Sequence, residues 1–181
     1  MAKVFSVAST VVVALFAIIH PSFAGSRGDS ERHQSSVTRK SDEHTSAKPS
    51  VRLSQSERRL VEAVNVYRAE YGLEPLTVDP ILMKVGRNAA PYYSHCINGK
   101  WCWHRAHEAG FRGWATDDIA NGYNSPEDAV EGWSSSEGHA HQMRGDFNMN
   151  GQWRNYKFNR IGVGISGRKY IAVFGRSNER L

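Results

Sequence analysis

Residues 161–174 have the sequence IGVGISGRKYIAVF, in which two apolar runs flank a polar turn. The runs 161–165 and 170–174 are rich in β-branched and aromatic residues, and Gly167-Arg168-Lys169 separates them. This pattern predicts a β-hairpin. The hairpin offers an apolar surface on which other elements can pack, and it therefore decides how the rest of the chain is interpreted.

The segments before this hairpin predict helices. The first begins at Ser54, the start of the capping box SQSE, and ends at Gly72. Two more begin where a cap residue precedes proline, at Asp79-Pro80 and Ser125-Pro126, and residues 138–143 predict a short fourth helix. Helices followed by a compact sheet predict an α+β or layered α/β/α domain, and we expect Trp133 and the hairpin to form its core.

Composition excludes several classes of protein. The chain has 181 residues, 40% of them hydrophobic, which suffices for a folded core. Two cysteines are too few for a disulfide scaffold without a core. The formal net charge is +5, but the basic residues are scattered among acidic ones, so we expect no nucleic-acid partner.

The first 52 residues differ in composition from the rest. Residues 1–24 have Lys3, an apolar stretch and Ser22-Phe23-Ala24, the pattern of a secretory signal peptide. Residues 25–52 are polar and charged and predict a disordered tether. We therefore expect a folded domain over 53–181 that is exported, extracellular or periplasmic, without a transmembrane anchor after signal cleavage, and monomeric.

Two motif matches lack the context that their chemistry needs. Residues 162–167 match G-x-G-x-x-G, but a turn and a second strand follow where a dinucleotide site needs a helix. Serines 134–136 lie near His139 without the G-x-S-x-G turn of a nucleophilic serine. Because no nucleophile motif is present, the sequence does not favour an enzyme.

Chemically active side chains concentrate between residues 94 and 143. Five of the eight histidines lie there, at positions 95, 104, 107, 139 and 141. Imidazoles can bind a divalent ion such as zinc, and they can transfer protons near neutral pH. No His-x-x-x-His or Cys-x-x-Cys spacing brings them together in sequence, so any shared site depends on the fold.

Cys96 and Cys102 flank a short loop that contains Gly99. A free thiol or a metal-binding pair are alternatives, but export and an even cysteine count favour a local disulfide.

Motifs along residues 65–175 resemble, in order, those of the CAP family (SCP-like; cysteine-rich secretory proteins, antigen 5 and pathogenesis-related proteins) in its bacterial form. The matching segments are 65–68 (NVYR), 72–76 (GLEPL), 79–82 (DPIL), 94–95 (SH), Arg105 with 110–111 (GF), 117–122 (DDIANG), 125–133 (SPEDAVEGW), 136–139 (SEGH), 161–164 (IGVG) and 174–175 (FG).

The resemblance implies a three-layer α-β-α sandwich with a central antiparallel sheet. It also implies a cleft in which His95 and His139 are the two histidines, with His104 a rival for the first, and Asp117 is the acid. The family motif has Glu-Asn where this chain has Asp117-Asp118. The histidines hold a divalent metal in some members, which makes His95 and His139, and less strongly Asp117, candidate zinc ligands. A second family glutamate has no clear counterpart, although Glu137 is close in sequence.

Three classes of function are consistent with this sequence. The first is an extracellular binding module whose cleft holds a small ligand, lipid, peptide, glycan or ion, with Trp101, Trp103 and Trp114 as apolar faces. The second is a secreted hydrolase that uses His95 and His139, with or without a metal, and Asp117. The third is a structural protein of the cell surface. Binding is the class that the residues favour.

Overall fold

The structure is a computed structural model that describes residues 51–178. The predicted signal peptide and nearly all of the predicted tether lie outside the described residues. The fold is α+β, with a central sheet flanked by helices on both faces, as the sequence predicted. None of the described helices combines the length and the apolar character that crossing a membrane requires.

Five helices belong to the described part of the chain. Their bounds are Gln55–Glu70 (α1), Pro80–Ala89 (α2), Cys102–Glu108 (α3), Pro126–Ser134 (α4) and Glu137–Arg144 (α5), and a 3₁₀ turn covers Ala90–Tyr92. The capping box of Ser54 and Glu57 is formed at α1, and Asp79 and Ser125 accept backbone hydrogen bonds at α2 and α4. These caps begin the helices where the sequence predicted.

Eight strands form three sheets within the described residues. The strands are Thr77–Val78 (β1), Cys96–Ile97 (β2), Lys100–Trp101 (β3), Gly113–Asn121 (β4), Asp146–Met149 (β5), Gln152–Asn155 (β6), Arg160–Ser166 (β7) and Lys169–Ser177 (β8). The central sheet has the order β1-β7-β8-β4, and β2-β3 and β5-β6 are separate hairpins. The prediction of an antiparallel sheet needs one correction, because β1 pairs with β7 in parallel.

Each face of the central sheet carries its own apolar core. Alternate residues of β8 supply them: Tyr170, Ala172 and Phe174 join the cluster with α1, α4 and α5, while Ile171 and Val173 join the cluster with α2 and α3. This alternation follows from the period of two in a strand. The result is the three-layer arrangement that was predicted.

Trp133 is confirmed as a core residue. Its side chain is 2% exposed, and its indole N–H donates to the Ile119 carbonyl at 3.1 Å. The predicted hairpin is also confirmed. β7 and β8 are paired along their length, from Arg160 opposite Gly175 to Ser166 opposite Lys169.

Gly162 and Gly164 have a packing role. A Cβ atom on Gly162 would overlap the Leu82 backbone, and one on Gly164 would overlap the Gly86 backbone. Both contacts belong to α2, which therefore approaches β7 as closely as backbone allows. Close packing of α2 on β7 accounts for Gly162 and Gly164, so the glycine pattern of residues 162–167 does not require a bound nucleotide.

Candidate functional site

Asp117 lies at the centre of a polar cluster on β4, an edge strand of the central sheet. Its Oδ1 is 2.8 Å from Nδ1 of His95, and its Oδ2 accepts a hydrogen bond from Nη2 of Arg105 at 2.8 Å. The same Nη2 is 3.4 Å from the His95 carbonyl oxygen. Arg105, on α3, therefore fixes both the carboxylate and the backbone of the histidine.

The pairing with Asp117 orients the His95 ring. An ionised carboxylate only accepts hydrogen bonds, so Nδ1 of His95 carries a hydrogen, and Nε2 is the nitrogen left for a ligand or a proton. The carboxylate is nearly inaccessible, whereas the His95 side chain is 39% exposed. The arrangement presents an oriented imidazole at the surface of the cluster.

His139 lies on α5, which packs on the face of the central sheet opposite to α2 and α3. Its Nδ1 lies 2.8 Å from the Ser136 hydroxyl. Burial lowers the pKa of His139, and the charge of His95 lowers it further. The two histidines therefore influence each other electrostatically, although His139 is not among the residues that line the cavity next to His95.

Asp118 has the opposite environment to Asp117. It is fully buried, and neither of its carboxyl oxygens has a hydrogen-bond partner among the described residues. Burial, and then the charge of Asp117, raises the pKa of Asp118 well above its usual range. Burial therefore disfavours the charged form of Asp118, at the position where the family motif has the neutral side chain of asparagine.

A cavity of about 430 Å³ lies beside His95 and Asp117. Its walls are mostly apolar, and three different parts of the chain contribute the aromatic rings of Trp101, Trp103, Trp114 and Phe147. The rings of Trp103 and Trp114 are stacked with centroids 6.1 Å apart, and Phe147 meets Trp114 edge-on at 5.6 Å. We call this the aromatic cavity.

The polar side of the aromatic cavity includes two more groups that the sequence did not single out. The Thr116 hydroxyl donates to the Gln142 side-chain oxygen at 2.8 Å, and both residues line the cavity. Arg105 was also absent from the predicted site. Arg105 belongs to a segment that resembles the family, but that resemblance did not assign it to the site. A single threonine or glutamine carries no spacing signal, so only the fold reveals Thr116 and Gln142.

The other candidate residues have separate surroundings. His104 Nδ1 accepts from the Trp101 backbone N–H at 3.3 Å, and His107 Nε2 lies 2.8 Å from the Gly113 carbonyl. His141 contacts Asp146. Glu137 is exposed in the first turn of α5. His95 rather than His104 contacts Asp117.

The predicted disulfide is wrong for this structure, because Cys96 and Cys102 are both free. In the β2–β3 pair, Cys96 lies across from Trp101, so Cys102 is one residue beyond the paired position and begins α3. Its side chain is buried in the core beneath α2 and α3, and burial raises the pKa of the thiol well above its usual range. A thiol in these surroundings is inert.

The described residues do not provide a complete set of ligands for a resident metal. Within residues 51–178, no group of three or more His, Cys, Asp or Glu side chains could hold a metal ion. Asp117 already accepts from Arg105 and pairs with His95, and Nδ1 of His139 contacts Ser136. Zinc binding by His95 and His139 stays a prediction.

Comparison with known proteins identifies the class to which this fold and cluster belong. The sequence profile of the cysteine-rich secretory protein (CAP) family matches residues 61–171. The chain belongs to the CAP family.

The most informative relatives are bacterial. YkwD of Bacillus subtilis strain 168 is 30% identical over an alignment of 129 residues, which covers 66% of this chain and 45% of that protein. This chain therefore matches less than half of YkwD.

Solved structures show the same fold. An extracellular SCP-domain protein of Bacillus anthracis superimposes with a TM-score of 0.57 at 21% identity, covering 71% of this chain and 45% of that one. An outer surface protein of Borrelia burgdorferi gives 0.56 at 18% identity, covering 71% and 97%.

Proposed function

We propose that the protein is an extracellular binding module whose aromatic cavity takes an amphiphilic ligand. Such a ligand has a flat apolar part and at least one hydrogen-bonding group. An extracellular location is supported by the predicted signal peptide and by the solved relatives, which are described as an extracellular protein and an outer surface protein. A lipid, a glycan and a peptide all offer ligands of this kind.

The observation that carries the proposal is the composition of the cavity wall. Three tryptophans and Phe147 surround about 430 Å³, while the His95–Asp117 pair and Gln142 lie at its polar side. Mostly apolar walls with a few placed polar groups are typical of ligand sites. Trp101 is 54% exposed, so its ring is available for stacking.

A titration with a panel of short glycans, peptides and lysolipids tests this proposal. We expect a bound ligand to shift the NMR signals of the Trp103 and Trp114 indole N–H groups. Trp103→Ala should weaken binding about tenfold, the value of one aromatic contact of roughly 1 to 1.5 kcal/mol. Trp153→Ala is the matched control, because Trp153 lies on β6 and does not line the cavity.

Two results would contradict a binding role for this cavity. One is a ligand that shifts Trp153 but neither Trp103 nor Trp114. The other is a panel without any saturable shift, which would favour a structural role at the cell surface.

The His95–Asp117 pair supports hydrolysis as a second candidate function. A carboxylate that fixes an imidazole leaves Nε2 able to accept a proton from water. Turnover on ester, peptide and glycan substrates, with and without added zinc, tests this function. A hydrolase should lose kcat in His95→Gln and in Asp117→Asn, whereas a binding module should show no turnover in any of the three proteins.

A further inference from the structure

A second cavity, of about 440 Å³, lies between α2 and α3 on the other side of Arg105. Val85, Ile97 and Ala109 form its apolar wall, and Lys84, Asn88 and Arg105 contribute polar atoms. None of the five candidate site residues discussed above, His95, His104, His139, Asp117 and Glu137, lines it. We call it the α2–α3 cavity.

Arg105 links this cavity to the aromatic one, because it lines the first and binds Asp117 in the wall of the second. Its side chain is 13% exposed and lines the α2–α3 cavity, while its hydrogen bonds to Asp117 and to the His95 carbonyl both use Nη2. The Nε atom is buried without a partner among the described residues. A guanidinium has five N–H donors, and a buried donor without a partner costs about 1 to 3 kcal/mol. Arg105 therefore retains unused donor capacity.

Lys84 adds a second positive charge. It is an exposed residue of α2, and no hydrogen bond or ion pair joins it to another residue of the described chain. The one acidic residue in the wall, Glu108, is paired with Lys100 at 2.7 Å. The cavity thus combines an uncompensated ammonium, the guanidinium of Arg105 and apolar walls.

We propose that the α2–α3 cavity is a binding site for a small organic anion, a carboxylate with an apolar body. Lys84 and Arg105 bind the carboxylate, because a planar guanidinium matches its geometry and a lysine supplies a point charge. Val85, Ile97 and Ala109 contact the apolar body. A bare inorganic ion would leave this apolar wall unused.

A ligand in the α2–α3 cavity affects the aromatic cavity through one side chain, that of Arg105. A carboxylate bound to the unused donors of Arg105 shares this guanidinium with Asp117 and weakens its hold on the Asp117 carboxylate, which orients the His95 ring. The anion therefore changes the environment of His95 without contacting it. Linkage requires that a ligand of the aromatic cavity changes the affinity for the anion by the same factor.

An NMR titration of the folded protein with 3-phenylpropionate tests this site. We expect saturable shifts of the backbone amides of Val85, Ile97 and Ala109, together with a smaller shift of the His95 ring signals. The neutral analogue 3-phenylpropanamide should bind at least about tenfold more weakly, as expected for the loss of a charge-assisted contact.

Two variants of one exposed residue complete the test. Lys84→Met keeps the length of the side chain and should weaken 3-phenylpropionate about tenfold. Lys84→Arg keeps the charge and should retain binding. Equal affinity for acid and amide, unchanged binding in Lys84→Met, or shifts confined to Trp103 and Trp114 would overturn the proposal, as would the lack of any saturable shift.

Discussion

Asp117 and Asp118 are consecutive residues of β4, yet their carboxyl groups have opposite environments. Asp117 has a partner on each oxygen, His95 on one and Arg105 on the other, whereas both oxygens of Asp118 lack a partner within the described chain. Successive side chains of a strand point to opposite faces of the sheet. One aspartate therefore serves the polar cluster, and the other is buried on the face that packs against α4 and α5.

Asp118→Asn should stabilise the protein at neutral pH. Because the folded pKa of Asp118 lies above the value of about 3.9 in an unfolded chain, the folded state keeps a proton that the unfolded state releases. The free energy of unfolding therefore falls as pH rises above about 4. Asparagine removes this cost, about 1.4 kcal/mol for each unit of raised pKa.

Urea unfolding at several pH values between 4.5 and 8 measures the effect of Asp118→Asn. The gain should grow with pH, and Glu62→Gln on the exposed face of α1 should show no such trend. A gain that is the same at every pH would show that Asp118 does not hold a proton in the folded protein.

Asp117→Asn should destabilise the fold by about 3 kcal/mol, because it leaves the Arg105 charge largely buried without its ion-pair partner. Glu127→Gln is the matched comparison. It breaks the Arg59–Glu127 pair, whose side chains are about half exposed, and should cost clearly less than Asp117→Asn because solvent screens the two charges. Similar losses in the two variants, measured by urea unfolding, would mean that burial does not distinguish the two pairs.

Trp133→Ala should cost about 3 to 5 kcal/mol of stability, since it empties a large site in the core and leaves the Ile119 carbonyl without its indole donor. Trp153→Ala should cost clearly less, because that side chain is 36% exposed and its ring contact is the stack on His141 at 4.0 Å. Thermal unfolding monitored by circular dichroism compares the two, and a loss below about 1 kcal/mol for Trp133→Ala would show that α4 is not anchored by this side chain.

Gly162→Ala should destabilise the protein by about 3 kcal/mol, because its Cβ would force the Leu82 backbone of α2 away from β7. Gly138→Ala is the control: it lies in α5 with open space around the added methyl group, and alanine favours the helix by up to about 1 kcal/mol. A Gly162→Ala protein as stable as the wild type would contradict the close contact of α2 with β7.

The sequence revealed the elements with strong local signals and missed those that depend on their neighbours. α1, α2 and α4 begin at caps, and β7 and β8 are two apolar runs on either side of a polar turn. β4 has two aspartates in its middle and gave no strand pattern; it forms because β8 pairs along its whole length. α3 has only seven residues, too few for a visible helical period.

For the candidate site, resemblance to the family located His95, Asp117 and His139, and the structure joins the first two directly. Arg105 was not predicted as part of the site because its contact with Asp117 depends on how α3 packs beside β4. The disulfide was predicted from cysteine count and spacing, which do not report that Trp101 occupies the position across from Cys96.

The pKa of His139 provides the most direct test of whether the two histidines share one site. Burial is the larger cause of this lowered pKa, and the charge of His95 is the smaller one. Just below pH 6.5, the folded state therefore binds fewer protons than the unfolded chain. Stability should therefore be lost as pH falls through about 6.5, and His139→Gln should reduce that loss.

His95→Gln should raise the pKa of His139 toward its ordinary value, because glutamine cannot carry the positive charge that opposes protonation of His139. The rise should be incomplete, since burial of His139 remains. His107→Gln is the matched control, as His107 contacts the Gly113 carbonyl and not the cluster. NMR titration of the His139 ring signals measures all three proteins, and an identical pKa in wild type and His95→Gln would show that the two imidazoles do not share one cleft.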